Sequence, residues 1–471
     1  MLKNNQHFHF IGICGIGMSG IAKILLTQNI KVSGCDKNID PQRTKELLNL
    51  GCTIDIHQSN ICNDPSITTI VRTSDVQLNH PEIMQAQSKN IPILLRAEIL
   101  AKIMHEKISI AVAGAHGKTT TSSLLAHVLL HAKIDPTMIV GGHMHELNSN
   151  AHAGSGKYLV AESDESDRSF LLLPKNYTIV TNVDREHLNT YQDFDDIKNA
   201  FIQFINNIPS DGCNFICIDD AGIQSIQDRI TTPYLTYGTS TSANFHIQNV
   251  QLSPDFSEFE LKIQNVDLIM QHITSNNLGI FKVALPGMHN VLNATGVIAV
   301  CLRLGLDEQA IKNGLESFQG VDRRFTFKGV SKNHGAMIFD DYGHHPREIE
   351  VTFKVAQAKT NGKIIVVFQP QRFSRTKHLW NEFVQTLAFA PIDQLILTDI
   401  YSANEASIDG VTSQNLVAEI QKMNPALNVN FIAFGNNGEQ ILSKLNESLS
   451  KDDLLLFQGA GKVNQLADKL I

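Results

Sequence analysis

Eight consecutive residues, Gly114-Ala115-His116-Gly117-Lys118-Thr119-Thr120-Thr121, carry the strongest chemical signal in this 471-residue chain. They follow a β-branched apolar run, Ile108 to Val112, and precede a helical pattern from Ser122 to Leu130. A strand, a glycine turn and a helix start gather unpaired backbone N–H groups at one point, where the helix dipole also favours an anion. Such a turn binds phosphate. Lys118 adds a point charge for the outer phosphates, and a hydroxyl at Thr119 or Thr120 can ligate Mg²⁺. Val112 stands where the strict P-loop pattern has glycine, so this is a variant of that loop.

A second glycine turn, Gly15-Ile16-Gly17-Met18-Ser19-Gly20, has a buried-strand pattern before it and a helix after it, from Ile21 to Leu26. Asp36 closes the next strand, Lys31 to Cys35. That fingerprint lays a diphosphate on a helix N-terminus. Two ligands satisfy it: NAD, with Asp36 on a ribose hydroxyl, or a nucleotide diphosphate that is not a dinucleotide. A packing turn without a ligand is the plain alternative.

Carboxylates and amides gather at further strand ends. Glu162-Ser163-Asp164-Glu165-Ser166-Asp167 follows the strand Tyr158 to Ala161, which delivers Glu162 to the sheet edge where α/β proteins bind ligands. A solvated loop is the bland reading, but a hard oxygen donor there suits Mg²⁺. Thr181-Asn182-Val183-Asp184-Arg185-Glu186-His187 ends another strand at the same edge. Asn290 and Asn293, three apart on a helix, either cap and face water or present amides to a purine. Arg323-Arg324-Phe325, then Asp340-Asp341-Tyr342-Gly343-His344-His345-Pro346, then Gln371-Arg372-Phe373-Ser374-Arg375 supply titratable groups around the strands that follow.

The elements that must position these groups alternate strand and helix in three stretches. A boundary near residue 107 and another near Val321 divide the chain into 1–107, 108–321 and 322–471. The expected fold is α/β with three domains: a Rossmann-like first unit, a central P-loop-type mononucleotide-binding unit, and a Rossmann-like third. Between Thr232 and Pro286, short alternating segments such as Phe245-to-Val250 and Phe259-to-Ile263 predict antiparallel strands appended to the central sheet.

The bulk numbers agree with a chain of this kind. At roughly 150 residues per domain, three units are expected. Hydrophobic content of 42%, charged content of 18% and a net charge of −8 describe a globular protein without a nucleic-acid footprint. The seven cysteines are dispersed and read as buried thiols of a reducing cytosol. No signal-type or membrane-length apolar run is present, so a cytoplasmic protein is expected, monomeric or weakly dimeric.

The combination of Gly114-to-Thr121, Glu162-to-Asp167, Asp341-to-Pro346 and the Gly15-to-Gly20 context resembles the Mur ligases, ATP-dependent amide-forming enzymes of peptidoglycan precursor synthesis. The resemblance spans essentially the whole chain and is greatest for the alanine-adding branch. It implies UDP-N-acetylmuramate, L-alanine and ATP as substrates and Mg²⁺, or Mn²⁺, as cofactor. It implies that Gly15, Ile16, Gly17, Gly20 and Asp36 hold the UDP-sugar, and that the Gly114-to-Thr120 loop, Asn290, Asn293 and Arg324 hold ATP. Thr119, Glu162 and His187 match metal ligands, and Lys118, Asp341, His344 and Arg324 match catalytic positions. Tyr342 and His344 match positions near the amino acid, with Arg372 or Arg375 facing its carboxylate. Cys14, Ala115 and Glu186 depart from the usual pattern, and Phe201-to-Ile205 lacks the lysine that several relatives carbamylate. A murein tripeptide-recycling ligase is the neighbouring reading, and an NAD-dependent oxidoreductase the reading from another class.

Overall fold

The computed structural model describes every residue except 1, 4, 38, 56–63, 188, 189, 266–274 and 436. The chain forms two compact units, one of residues 1–250, 259–283 and 291–319, the other of 251–258, 284–290 and 320–471.

Two sheets belong to the first unit. The N-terminal sheet has five parallel strands in the order Thr53–Asp55, Lys31–Cys35, His7–Ile11, Thr69–Arg72 and Ile93–Leu95. This is a doubly wound order, and its switch point lies beside the central His7–Ile11 strand, where the Gly15–Gly20 turn emerges. The strand is buried at all five positions, as a parallel strand covered on both faces must be.

The second sheet has ten strands built around Ile108–Ala113, which pairs in parallel with Tyr158–Glu162 on one side and Tyr177–Val180 on the other. Both neighbours therefore end at the edge where the Gly114–Gly117 loop begins. Cys213–Cys217 and Tyr234–Gly238 extend the parallel region. Phe245–Leu252 corrects the expectation of antiparallel strands in its first member: it runs parallel to Tyr234–Gly238. At the other flank, Thr137–Met144 and Ser149–His152 form an antiparallel hairpin.

The second unit carries a six-stranded sheet in the order Thr326–Val330, Met337–Asp341, Leu454–Gln458, Ile364–Phe368, Gln394–Leu397 and Asn428–Phe431. Its pairs are parallel except at one edge, where Thr326–Val330 lies antiparallel to Met337–Asp341. Apolar side chains fill both faces, with Phe339, Phe353, Phe368 and Phe383 in one layer and Ile338, Val367, Phe457 and Leu466 in the other. Cys14, Cys35, Cys52, Cys213, Cys217 and Cys301 are free and buried; Cys62 lies outside the described residues. No helix among the described residues is long and apolar enough to cross a membrane.

Candidate active site

The phosphate-type loop is built by backbone conformations that glycine tolerates best. Gly114 has φ +139, and a Cβ there would lie 2.1 Å from Thr181 Oγ1. Gly117 has φ +83 and caps the helix Lys118–His131 without a side chain, leaving the helix start bare. The neighbouring strand end holds the turn from below. Asn182 Oδ1 accepts the His116 N–H at 2.9 Å, while Thr181 Oγ1 and Asn182 Nδ2 donate to the His116 carbonyl at 2.6 and 2.9 Å. The His116 ring meets Asp184 at 3.2 Å.

Lys118 folds back over this turn. Its Nζ donates to the carbonyls of Gly114 and Ala115 at 2.5 and 3.0 Å and sits 2.9–3.0 Å from both oxygens of Glu165. Burial works against the ammonium, but Glu165, Asp164 and Glu162 outweigh it and hold its pKa above the ordinary lysine range. Burial would likewise raise Asp164, yet Lys118, Arg96 and His187 hold that carboxyl below its usual range. Lys118 is thus a pinned charge rather than a mobile one.

Glu162 takes the position expected of it at the end of its strand. Its two oxygens accept from Thr119 Oγ1 at 3.1 Å and from the Gly141 N–H at 2.7 Å. His187, in the left-handed region at φ +55, lies 3.5 Å from Glu165 and 3.9 Å from Glu186. Asn293 is buried, its amide within 3.5 Å of where a Gly117 Cβ would stand. Asn290 instead donates to the Pro286 carbonyl at 2.8 Å, a local bond within its own helix start.

The Gly15–Gly20 turn differs in what surrounds it. Gly15 opens the helix Ile16–Thr27 with no capping side chain. A Cβ at Gly17 would meet Arg96 Nη1 at 2.9 Å, and one at Gly20 would meet Asn150, Ile139 and Ala151 of the Thr137–His152 hairpin at 3.1–3.4 Å. Lys23, one turn on, bonds Glu46, Ser149 and Asn150. Asp36 Oδ2 accepts the Cys14 N–H at 2.8 Å, so the acid is tied to the turn itself.

In the second unit Asp341 is a hub. Oδ1 accepts from the Gly343 N–H, Gln458 Nε2 and Thr352 Oγ1 at 2.7, 2.7 and 3.2 Å, and Oδ2 from the Phe325 N–H at 2.9 Å. Burial pushes its pKa up against the pull of Arg324. The guanidinium carbons of Arg323 and Arg324 lie 4.9 and 5.5 Å from the centre of the Tyr342 ring, and Arg324 is 3.9 Å from Glu348. His344 packs edge-on to Tyr342, with its Nδ1 3.0 Å from the Tyr342 carbonyl. His345 caps the helix Pro346–Lys359, with Glu348 closing the capping box. Arg372 pairs with Glu405 at 3.4 Å, and Arg375 donates to Gln371 at 2.9 Å.

Sequence reasoning missed Glu165, Arg96, Asn182 and Glu405. Glu165 had one signal, its place in the acidic run, but nothing in the run distinguished it from Asp164 or Asp167.

Comparison with known proteins decides the family. The Mur ligase family catalytic domain pattern matches residues 7–108, the middle domain 112–301 and the glutamate ligase domain 323–461. A protein of Acidobacterium capsulatum named UDP-N-acetylmuramate–L-alanine ligase is 42% identical over 100% of this chain and 98% of its own. The chain belongs to the Mur ligase family. Among solved structures, the UDP-N-acetylmuramate–alanine ligase of Thermotoga maritima superimposes with a TM-score of 0.79 at 27% identity, covering 98% of each chain. The murein peptide ligase of Psychrobacter arcticus shares the fold, with a TM-score of 0.72 at 20% identity over 99% of this chain and 98% of its own. The three-domain α/β architecture is thus that of the Mur ligases.

Proposed function

We infer that this Mur ligase joins L-alanine to the lactyl carboxylate of UDP-N-acetylmuramate with ATP, in peptidoglycan precursor synthesis. The observation that carries the reading is full-length identity of 42% with an alanine-adding ligase, in a chain whose phosphate loop keeps Lys118 and Thr119 beside Glu165 and Glu162. The oxidoreductase reading leaves that loop without work, and Asp36, which that reading places on a ribose hydroxyl, accepts the Cys14 N–H of the turn.

Amide formation from a carboxylate requires a leaving group. The lactyl carboxylate attacks the γ-phosphorus of ATP, ADP departs, and an acyl phosphate forms. The alanine amine, as the free base, attacks the acyl carbon and expels phosphate. In this reading Lys118 exchanges its loop carbonyls for the outer phosphates of ATP, and the bare start of its helix receives the phosphate oxygens. The donor set Thr119 Oγ1 and Glu162 is all hard oxygen, which fits Mg²⁺, and His187 extends it; the ion supplies charge neutralisation at the phosphates. Gly15–Gly20 holds the UDP diphosphate, with Arg96 adding a cation beside Gly17.

For the third domain, Asp341 is a positioning residue. It fixes the Phe325 and Gly343 backbone and thereby the flanking Arg324, Tyr342 and His344. Arg324 serves ATP and His344 orients or deprotonates the amine. Arg372 and Arg375 select the α-carboxylate, with Glu405 holding Arg372 ready.

The test is phosphate release with UDP-N-acetylmuramate, ATP and a panel of amines. L-Alanine is expected to give the highest kcat/KM. Preference for a preformed murein tripeptide would overturn the assignment in favour of the recycling ligase.

A further inference from the structure

The far end of the phosphate-loop helix carries a cluster that the ligase chemistry does not use. His127 and His131 are four residues apart on one face of Lys118–His131, with ring centres 4.3 Å apart. Glu146, in the turn of the Thr137–His152 hairpin, places one oxygen 2.5 Å from His127 Nδ1 and the other 3.6 Å from His131 Nε2. One ligand atom from each residue lies within 4.8 Å of the other two.

Ser317 Oγ donates to the Asn313 carbonyl at 2.8 Å, which commits its hydrogen. It is therefore placed to accept at 3.0 Å from His127 Nε2–H, and it also stands 3.5 Å from His131 Nε2. At 2.5 Å, His127 Nδ1 and the Glu146 carboxylate share a hydrogen bond, whose proton an incoming ion would displace. A divalent ion replacing that proton would engage both rings and the carboxylate together. The site lies at a helix C-terminus, where the dipole favours a cation.

We propose that His127, His131 and Glu146 form a binding site for a borderline divalent transition metal, best suited to Zn²⁺. Two imidazoles and a carboxylate are the donors such ions take, whereas Mg²⁺ requires a shell of oxygens. In a tetrahedral zinc shell the ligand atoms stand about 3.3 Å apart. His131 and Glu146, both solvent-exposed, can adjust to that spacing, with the carboxylate drawing back from its 2.5 Å contact with buried His127. Along the helix, His127 and His131 stand about 14 and 20 Å from Lys118, so the site is distinct from the nucleotide metal. A bound ion would tie the helix end to the hairpin turn and, through Ser317, to the helix Glu308–Ser317.

The experiment uses full-length protein stripped with chelator and held in excess Mg²⁺, titrated with Zn²⁺ by calorimetry and with Cu²⁺ by electron paramagnetic resonance. The expected result is one site of micromolar or tighter affinity, two-nitrogen hyperfine structure and a raised Tm. His131→Ala and Glu146→Gln, both at exposed positions, should each weaken that site at least 10-fold and leave the metal-free Tm nearly unchanged. Equal affinity in wild type and both variants, or no stoichiometric binding up to 100-fold above micromolar, would overturn the proposal.

Discussion

Both glycine turns of the first unit join a buried parallel strand to a helix, yet only the Gly114–Gly117 turn holds a cation over its carbonyls. At Gly15–Gly20 the glycines make room for neighbours: Arg96 beside Gly17, and the Thr137–His152 hairpin beside Gly20. At Gly114–Gly117 they adopt left-handed backbone, and the space above the turn is taken by Lys118 and the carboxylates that restrain it. One backbone plan thus serves docking in the first case and charge placement in the second. Glycine spacing alone does not separate the two; the residue after the last glycine does, Lys118 in one turn and Ile21 in the other.

The largest effect that tests this contrast belongs to Lys118. Lys118→Ala is expected to lower alanine-dependent ADP formation by about 10³-fold or more, the scale of a lost phosphoryl-stabilising cation. It also leaves Glu165, only 2% exposed, without its ammonium, at a cost of about 3 kcal/mol in denaturant unfolding. The double variant Lys118→Met with Glu165→Gln should recover most of that stability and none of the activity. Recovery of activity as well would end the catalytic reading of Lys118.

Alanine substitutions at the glycines sharpen the comparison. Gly114→Ala meets both a φ of +139 and a Thr181 hydroxyl 2.1 Å from the new Cβ, so it should cost about 2–4 kcal/mol and abolish ATP binding. Gly17→Ala meets only the end of the Arg96 side chain, which can swing away, and it improves helix propensity. Its stability should change by less than about 1 kcal/mol while the KM for the UDP-sugar rises. Thermal melts paired with KM for each substrate check both; a large stability loss at Gly17 would erase the distinction.

The two regions also differ in acid. His7, on the strand before the first turn, hydrogen-bonds Ser33 and Ser66, and burial with the nearby Lys31 lowers its pKa to about 4. The unfolded chain takes up that proton near pH 6.5, so stability is full above 6.5 and declines as pH falls toward 4. The decline attributable to His7 is about 2–3 kcal/mol. Beside the second turn, Asp164 is held below the ordinary carboxylate range, so its contribution is lost only below about pH 4. Hydrogen exchange at pH 5 should therefore loosen His7–Ile11 before Ile108–Ala113, and His7→Asn should flatten the difference. Simultaneous loosening of both strands would show that another group governs the acid response.

What the sequence revealed and what it hid follows from the range of the forces involved. Strand–turn–helix units are legible because their signals are local: apolar runs, a glycine where φ is positive, and a helical period directly after. Glu162 is legible because a strand end fixes where the next residue goes. Glu165 is not, since only the folded loop turns it inward to Lys118 while Asp167 turns to Ser74. The Thr326–Val330 edge strand shows no alternation because most of it is exposed, and its pairing with Met337–Asp341 is a tertiary choice. The Thr137–His152 hairpin is hidden for a related reason: glycines, histidines and asparagines interrupt its apolar pattern.

Asp36 is where local signal and tertiary outcome part most sharply, and it gives the smallest and most discriminating test. An acid at the end of the second strand reads as a ribose ligand. In the fold its Oδ2 accepts the Cys14 N–H at 2.8 Å, and the side chain is buried. If holding the turn is its task, an amide oxygen serves almost as well as a carboxylate. Asp36→Asn should then change the KM for UDP-N-acetylmuramate by less than about threefold, the loss of charge assistance in one hydrogen bond. Asp36→Ala removes the acceptor, leaves a buried N–H unpaired, and should cost about 1–3 kcal/mol of stability. If the charge instead holds a ligand hydroxyl, Asn and Ala should both raise that KM by more than tenfold with little change in stability. The ratio of the two KM values, read beside the two melting temperatures, decides whether the first turn uses its acid to build itself or to bind.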